Sequence, residues 1–77
     1  MDEQELNKKL AELWEKYKDS GQGVQIFLRQ CDGRGWTKNG WLCSLKCGSE
    51  VVNIEGEKTP IMALRLAIEK FVNEQRN

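Results

Sequence analysis

The sequence contains no histidine, which removes the commonest general base, the usual partner of a nucleophilic serine or cysteine, and the commonest zinc ligand. It also lacks a phosphate-cradling glycine loop, since Gly33-Arg34-Gly35 leads into a tryptophan rather than into a helix. Most of the acidic residues fall on predicted helix exteriors or in turns, where solvent keeps their protonation ordinary. We therefore predict a protein that is not an enzyme and that carries no cofactor.

The sequence also has no apolar run of the roughly 20 residues needed to span a bilayer. Its N-terminus begins with an acidic helical stretch instead of a basic and apolar signal segment. Twelve lysines and arginines balance twelve aspartates and glutamates, so the formal net charge is +0 and there is no strong positive field for nucleic acid. These features predict a cytoplasmic protein without a membrane partner.

Cysteine is scarce, and its three copies fit a reducing compartment because a small secreted scaffold normally carries an even set for disulfides. On one strand, Cys43 and Cys47 would stand about 13 Å apart at roughly 3.3 Å per residue. That separation is too large for a shared metal ion or a disulfide. We predict structural thiols, buried or half-buried, and no metal site, with a redox or metal role as the alternative.

Two amphipathic segments bracket a central block that glycines interrupt, and this order predicts helix, three strands and helix in one compact domain over residues 1–77. The first helix is predicted from Asp2 to Asp19 with Asp2 as its N-cap. The second is predicted from Thr59 to Gln75, with Thr59 as N-cap and Pro60 in the first helical position. The apolar stripes are Leu6, Leu10, Leu13, Trp14 and Tyr17 on the first helix, and Ile61, Leu64, Ala67, Ile68, Phe71 and Val72 on the second.

The central block alternates apolar and polar residues, which is typical of half-buried strands. Gly48-Ser49 predicts a two-residue hairpin turn that places Leu45 opposite Val52. The predicted fold class is α+β with the order αβββα, a three-stranded antiparallel sheet and two helices packed on one face. The residues on the covered face would be Val24, Ile26, Leu28, Trp41, Cys43, Leu45, Val52 and Ile54.

Asn39-Gly40 gives a second hairpin signal, between the first and second strands. A turn of these two residues places Trp36 opposite Cys43. A longer turn from Thr37 to Gly40 is the competing choice and places Trp36 opposite Trp41. Both alternatives bring Trp36 to the covered face.

The other face of the predicted sheet carries apolar residues that an exposed antiparallel face normally lacks. They are either scattered surface side chains or parts of one contact patch for a partner protein or a second copy of the chain. The segment Arg29 to Lys46 adds basic and aromatic residues, a mixture that protein interfaces favour and that also suits nucleic acid. The predicted partner-binding residues are Phe27, Arg29, Arg34, Trp36, Lys38, Leu42, Lys46 and Val51.

The element order resembles that of the double-stranded-RNA-binding domain over almost the whole chain. That family carries a lysine pair at the start of its last helix, where this chain has only Lys58 within Gly56 to Ala63. It also carries a Gly-Pro-x-His loop between its first two strands, where this chain has Gly33-Arg34-Gly35-Trp36. The resemblance therefore implies the topology without the residues that grip RNA.

The chain also resembles small bacteriophage and prophage accessory proteins of the same topology, sometimes called sandwich proteins of the helix-strand-helix kind. The residues that carry this resemblance are Glu5 to Leu13, the tryptophan-bearing hairpin, and Thr59 to Ile68. It implies a phage-encoded, anti-defence or anti-CRISPR type of inhibitor that binds and occludes a host protein or protein complex without doing chemistry.

The leading hypothesis from the sequence is therefore such a binding protein, acting through the open sheet face and the loop from Cys31 to Gly40, with a homodimer as one arrangement. We predict that Phe27, Arg34 and Trp36 contribute most of the binding free energy. A small nucleic-acid-binding domain that uses the basic and aromatic segment 29–46 is the alternative.

Overall fold

A computed structural model describes residues 2–21, 23–35 and 38–75 of the chain. Its elements are α1 (Glu3–Tyr17), β1 (Val24–Asp32), β2 (Asn39–Cys47), β3 (Glu50–Glu57) and α2 (Pro60–Gln75). The strands form one antiparallel sheet in the order β1-β2-β3. The predicted α+β class and αβββα order are confirmed. Within the described residues, neither helix is long and apolar enough to cross a bilayer.

Both helices begin at the predicted caps. The Asp2 side chain accepts a hydrogen bond from the backbone N–H of Glu5 at 2.8 Å. Thr59 Oγ1 accepts one from the backbone N–H of Met62 at 3.1 Å, immediately before Pro60 opens α2. Each cap satisfies a backbone donor that the first turn of a helix leaves without an intrahelical partner.

The core lies between one face of the sheet and the two helices. Phe71 of α2 sits at its centre, and its ring meets that of Tyr17 edge to face, with 5.9 Å between the ring centroids. This contact ties the end of α1 to α2 on the same side of the sheet. The buried cluster consists of Leu6, Leu13, Cys43, Leu45, Cys47, Val52, Ala63, Leu64, Ala67, Ile68 and Phe71.

The pairing of β2 with β3 is as predicted. Leu45 lies opposite Val52, and residues 48–49 form the turn between the strands. Gly48 has φ +60, a left-handed conformation that glycine adopts without a Cβ penalty. The hairpin is therefore set by a turn whose chemistry is visible in the sequence.

Both predicted turns between β1 and β2 are wrong. Asn39 and Gly40 belong to β2, where they lie opposite Asp32 and Cys31, and the connection is made by residues 33–38. Trp36, which we predicted to pair with β2, lies outside the described residues. The observed partner of Trp41 is Gln30, an even number of residues before Trp36, which the longer predicted turn places opposite Trp41. Because side chains alternate with a period of two, each residue of β1 still lies on the predicted side of the sheet.

Along β1, the predicted core is confirmed at Val24, which packs against the buried cluster, and is wrong at Ile26 and Leu28. Helix α2 packs extensively against β2 and β3 but makes few contacts with β1. Ile26 and Leu28 project from the predicted face of the sheet, yet they remain 42% and 39% exposed. The two helices are thus too narrow to cover all three strands.

The helix stripes need two further corrections. Trp14 and Ile61, which we predicted to face the core, are exposed. Ala63, which the predicted stripe omitted, is completely buried. A small side chain at this position lets α2 approach the sheet closely, so its burial depends on packing distance rather than on hydrophobicity.

Candidate functional site

The side of the sheet that the helices leave uncovered brings together five of the eight predicted partner-binding residues. We call this side the open sheet face. Strand alternation and the observed register place all of its side chains on one surface. Its residues are Gln25, Phe27, Arg29, Leu42, Ser44, Lys46, Val51 and Asn53.

A polar pair occupies the middle of the open sheet face. Ser44 Oγ donates a hydrogen bond to Asn53 Oδ1 at 2.5 Å, and Ser44 lies opposite Phe27 on its other side. Phe27 is 56% exposed beside this pair. The row across the three strands therefore runs from an exposed aromatic ring to two mutually bonded polar groups.

The remaining apolar residues of the face each have a basic neighbour. Leu42 lies opposite Arg29, and Val51, which is 50% exposed, lies opposite Lys46. The face is thus a mosaic of apolar and charged side chains rather than one continuous apolar patch. Such a mixture is normal for a non-obligate protein interface, whose overall apolar fraction matches that of ordinary surface.

Arg34 lies apart from the open sheet face, in the connection after β1. Its Nε atom is 3.4 Å from Asp32 Oδ2, and its backbone N–H donates to Asp32 Oδ1 at 3.0 Å. The backbone bond to the side chain two residues earlier is an Asx-type turn, which shapes the start of this loop. Both side chains are highly exposed, so the ion pair adds little stability.

Lys38 lies at the opposite edge of the sheet from β1. Its side-chain carbons pack over Gly56, where an added Cβ would stand 3.3 Å from Lys38 Cδ. It lines an open groove between β3 and α2 together with Lys70. Four glutamates share this groove: Glu55, Glu57, Glu69 and Glu74.

The basic residues of segment 29–46 are therefore divided among three places. Arg29 and Lys46 are on the open sheet face, Arg34 is beside Asp32, and Lys38 is among glutamates. Trp36, the remaining predicted site residue, lies outside the described part of the chain. This distribution does not create one continuous positive track of the kind that follows a phosphate backbone.

The predicted burial of the cysteines is confirmed: Cys31, Cys43 and Cys47 are all buried and unbridged. Burial raises the pKa of the Cys43 thiol. Burial also raises the pKa of Cys47, and the charge of Glu50 adds to that effect while Lys16 opposes it. A thiol held protonated is a poor nucleophile and a poor metal ligand. Among the described residues, no three cysteine or acidic side chains come together as a metal site.

One feature that the sequence predictions missed is the exposure of β1 on both of its faces. Ile26 and Leu28 are partly exposed on the helix side, and Phe27 is exposed on the other. Two successive hairpins place β2 in the centre of the sheet, so the position of β1 at an edge was readable from the element order. The element order does not predict how far the helices extend over that edge.

Comparison with known proteins found no protein-family model, curated protein or solved structure that matches the chain. The likenesses to RNA-binding domains and to phage accessory proteins therefore remain predictions made from the sequence.

Proposed function

We propose that this chain is a non-enzymatic protein-binding domain whose contact surface is the open sheet face. The observation that carries the proposal is the exposure of Phe27 on the uncovered side of the sheet, with Arg29 and Leu42 beside it. Aromatic and arginine side chains dominate the binding energy of protein interfaces when a partner encloses them. A sheet holds these side chains in place before binding, which lowers the entropy lost on association.

The charge arrangement favours a protein partner over nucleic acid. Two basic residues remain on the open sheet face, and the face also contains apolar side chains that a phosphate backbone would not contact. The chain as a whole is neutral. Nucleic-acid binding draws most of its affinity from several lysines and arginines acting together on phosphates.

A narrower proposal concerns the kind of partner. A flat binding surface with no chemistry of its own acts by occlusion, because it blocks whatever normally contacts the covered site. We propose a phage-encoded inhibitor that works in the host cytoplasm and covers a host protein or protein complex, as an anti-defence protein does. Its support is the resemblance in Glu5 to Leu13 and Thr59 to Ile68.

The proposal is tested with the tagged chain as bait in a bacterial lysate, followed by mass spectrometry of the captured proteins. Two single variants alter the open sheet face, Phe27→Ala and Lys46→Glu. The matched control is Ile61→Ala, which removes a side chain that is 51% exposed on the outside of α2. We expect each face variant to reduce capture of a specific partner about tenfold or more, the loss typical of an interface anchor.

Unchanged capture by both face variants would refute the open sheet face as the binding surface, as would an equal loss with Ile61→Ala.

The nucleic-acid alternative is tested with labelled RNA and DNA at about 50 to 200 mM salt. Binding that weakens steeply over this range, by counterion release, would replace the protein-binding proposal.

A further inference from the structure

Strand β1 is an open edge of the sheet. It pairs with β2 without interruption from Val24 to Asp32, and it contains no proline. From Gln25 to Gln30 every side chain is exposed, and Arg29 alone is charged. Natural edge strands usually prevent pairing with other chains by being short, charged or bulged. The other edge strand follows this rule, since β3 carries Glu50, Glu55 and Glu57.

The backbone groups that β1 presents to solvent follow from one hydrogen bond. The N–H of Gly48 donates to the carbonyl of Gly23 at 3.0 Å, just before Val24 pairs with Cys47. In an antiparallel ladder, hydrogen-bonded and non-hydrogen-bonded pairs alternate. The odd-numbered residues of β1 therefore direct their N–H and C=O groups toward β2. The even-numbered ones, Val24 to Gln30, direct theirs away from the sheet.

We propose that this edge pairs with the same edge of a second copy of the chain. The two β1 strands run antiparallel across a twofold axis at Phe27 and join two three-stranded sheets into one of six strands. Ile26 then lies opposite the partner's Leu28, and the even-numbered residues on both strands exchange backbone hydrogen bonds. The proposal concerns self-association of the chain alone and does not rest on the proposed function.

The side chains make this pairing self-complementary. On the helix side, Ile26 meets the partner's Leu28 in the region that α2 leaves uncovered. On the open sheet face, Phe27 meets the partner's Phe27, and Arg29 meets the partner's Gln25. No like charges face each other, and the neutral total charge of each copy removes long-range repulsion. Apolar and aromatic cross-strand pairs of this kind are what stabilise antiparallel strands.

Neighbouring registers fit less well. A twofold axis at Leu28 would place Ile26 opposite Gln30 and so lose both Ile-Leu pairs. An axis at Arg29 would place two arginines directly opposite each other, which is unfavourable. An axis at Ile26 would keep apolar pairs on the helix side, Ile26 with Ile26 and Leu28 with Val24, but would place each Phe27 opposite Gln25. The axis at Phe27 pairs the two exposed aromatic rings as well as Ile26 with Leu28, and it keeps every charge away from its like.

Sedimentation equilibrium measures this association in the purified protein, at chain concentrations from about 10 µM to about 1 mM. The test variant is Leu28→Pro, which removes an N–H that points away from β2 and so leaves the β1–β2 ladder intact. The matched control is Val51→Pro. Val51 follows the hydrogen-bonded pair Cys47–Glu50 and therefore also directs its N–H outward, but on the other edge.

We expect dimers of the wild type and of Val51→Pro, and at least a tenfold weaker association of Leu28→Pro. Circular dichroism establishes that each variant is folded. If Leu28→Pro does not fold, Leu28→Lys replaces it, because an edge lysine also prevents strand pairing. A wild type that is monomeric throughout, or a dimer that Val51→Pro dissociates instead, would overturn the proposal.

Disulfide trapping tests the register. At the twofold axis, Phe27 forms a non-hydrogen-bonded pair whose Cα atoms are about 4.5 Å apart, within the range for a disulfide. We expect Phe27→Cys to form a disulfide-linked dimer in a glutathione redox buffer. The control Val51→Cys occupies a similarly exposed position and should form no disulfide-linked dimer. Equal trapping at both positions, or none at position 27, would contradict this register.

Discussion

Gly40 lies directly against the backbone of Glu57. A Cβ atom at Gly40 would stand 2.7 Å from the carbonyl oxygen of Glu57 and 2.9 Å from the carbonyl carbon of Gly56. The close approach occurs where the register between β2 and β3 shifts, between Trp41 and Cys43. On its other side, Gly40 pairs with Cys31 of β1. Gly40 is therefore a point at which all three strands meet.

The first prediction follows from this contact. Gly40→Ala should lower the free energy of unfolding by about 2–4 kcal/mol, because the new methyl group meets rigid backbone and the residue has φ +131. Gly21→Ala is the control, since Gly21 also has a positive φ but has open space around it. Its cost should be about 1–2 kcal/mol, from the backbone conformation alone. Urea unfolding, monitored by circular dichroism, measures the free energy of unfolding of both variants. Equal losses would show that the close approach to Glu57 adds nothing to the destabilisation.

The second prediction separates the open sheet face from the core. Phe27→Ala should change the free energy of unfolding by about 1 kcal/mol or less, because its ring is mostly in water before the mutation. Leu45→Ala, on the neighbouring strand but fully buried, should cost about 2–5 kcal/mol. Thermal unfolding in dilute solution compares the two variants. A large loss with Phe27→Ala would mean that this ring supports the fold and would weaken its assignment to partner binding.

The third prediction concerns stability at alkaline pH. Burial raises the pKa of Cys43 above its ordinary value of 9.0, so the folded state keeps a proton that the unfolded state releases. The resulting stabilisation is fully present below pH 9.0 and is lost as the pH rises above it. Cys47 contributes in the same direction.

Urea midpoints measured at successive pH values from neutral to alkaline test this effect. The wild type should lose stability above pH 9.0, and Cys43→Ala should lose less over the same interval because one of the two thiols is gone. The comparison cancels every contribution that the two proteins share. Parallel curves for the two proteins would contradict the prediction.

The two hairpin signals of the sequence have different structural causes. Gly48-Ser49 is a turn, and Asn39-Gly40 is not, although both dipeptides suit a tight turn. Gly40 is glycine because another strand approaches its backbone, a requirement that depends on Glu57, seventeen positions further along the chain. Local turn chemistry cannot distinguish these two reasons for a glycine.

The open sheet face was predicted to a similar degree. Five of the eight predicted residues share the open sheet face, because strand alternation assigns faces correctly even when the register is wrong by an even number of residues. Arg34 and Lys38 lie elsewhere, since they belong to the loop and alternation does not apply to it. Trp36 lies outside the described residues.

The sequence by itself determined the helix caps at Asp2 and Thr59, the period of the strands and the turn at Gly48-Ser49. These depend on interactions between residues a few positions apart, so their signals are local. Tertiary structure alone decided that Gly40 meets Glu57 and that the helices leave Ile26 and Leu28 of β1 partly uncovered. The coverage of β1 depends on how wide two packed helices are relative to three strands, and the contact at Gly40 depends on where distant backbones meet. No short stretch of sequence encodes either of these properties.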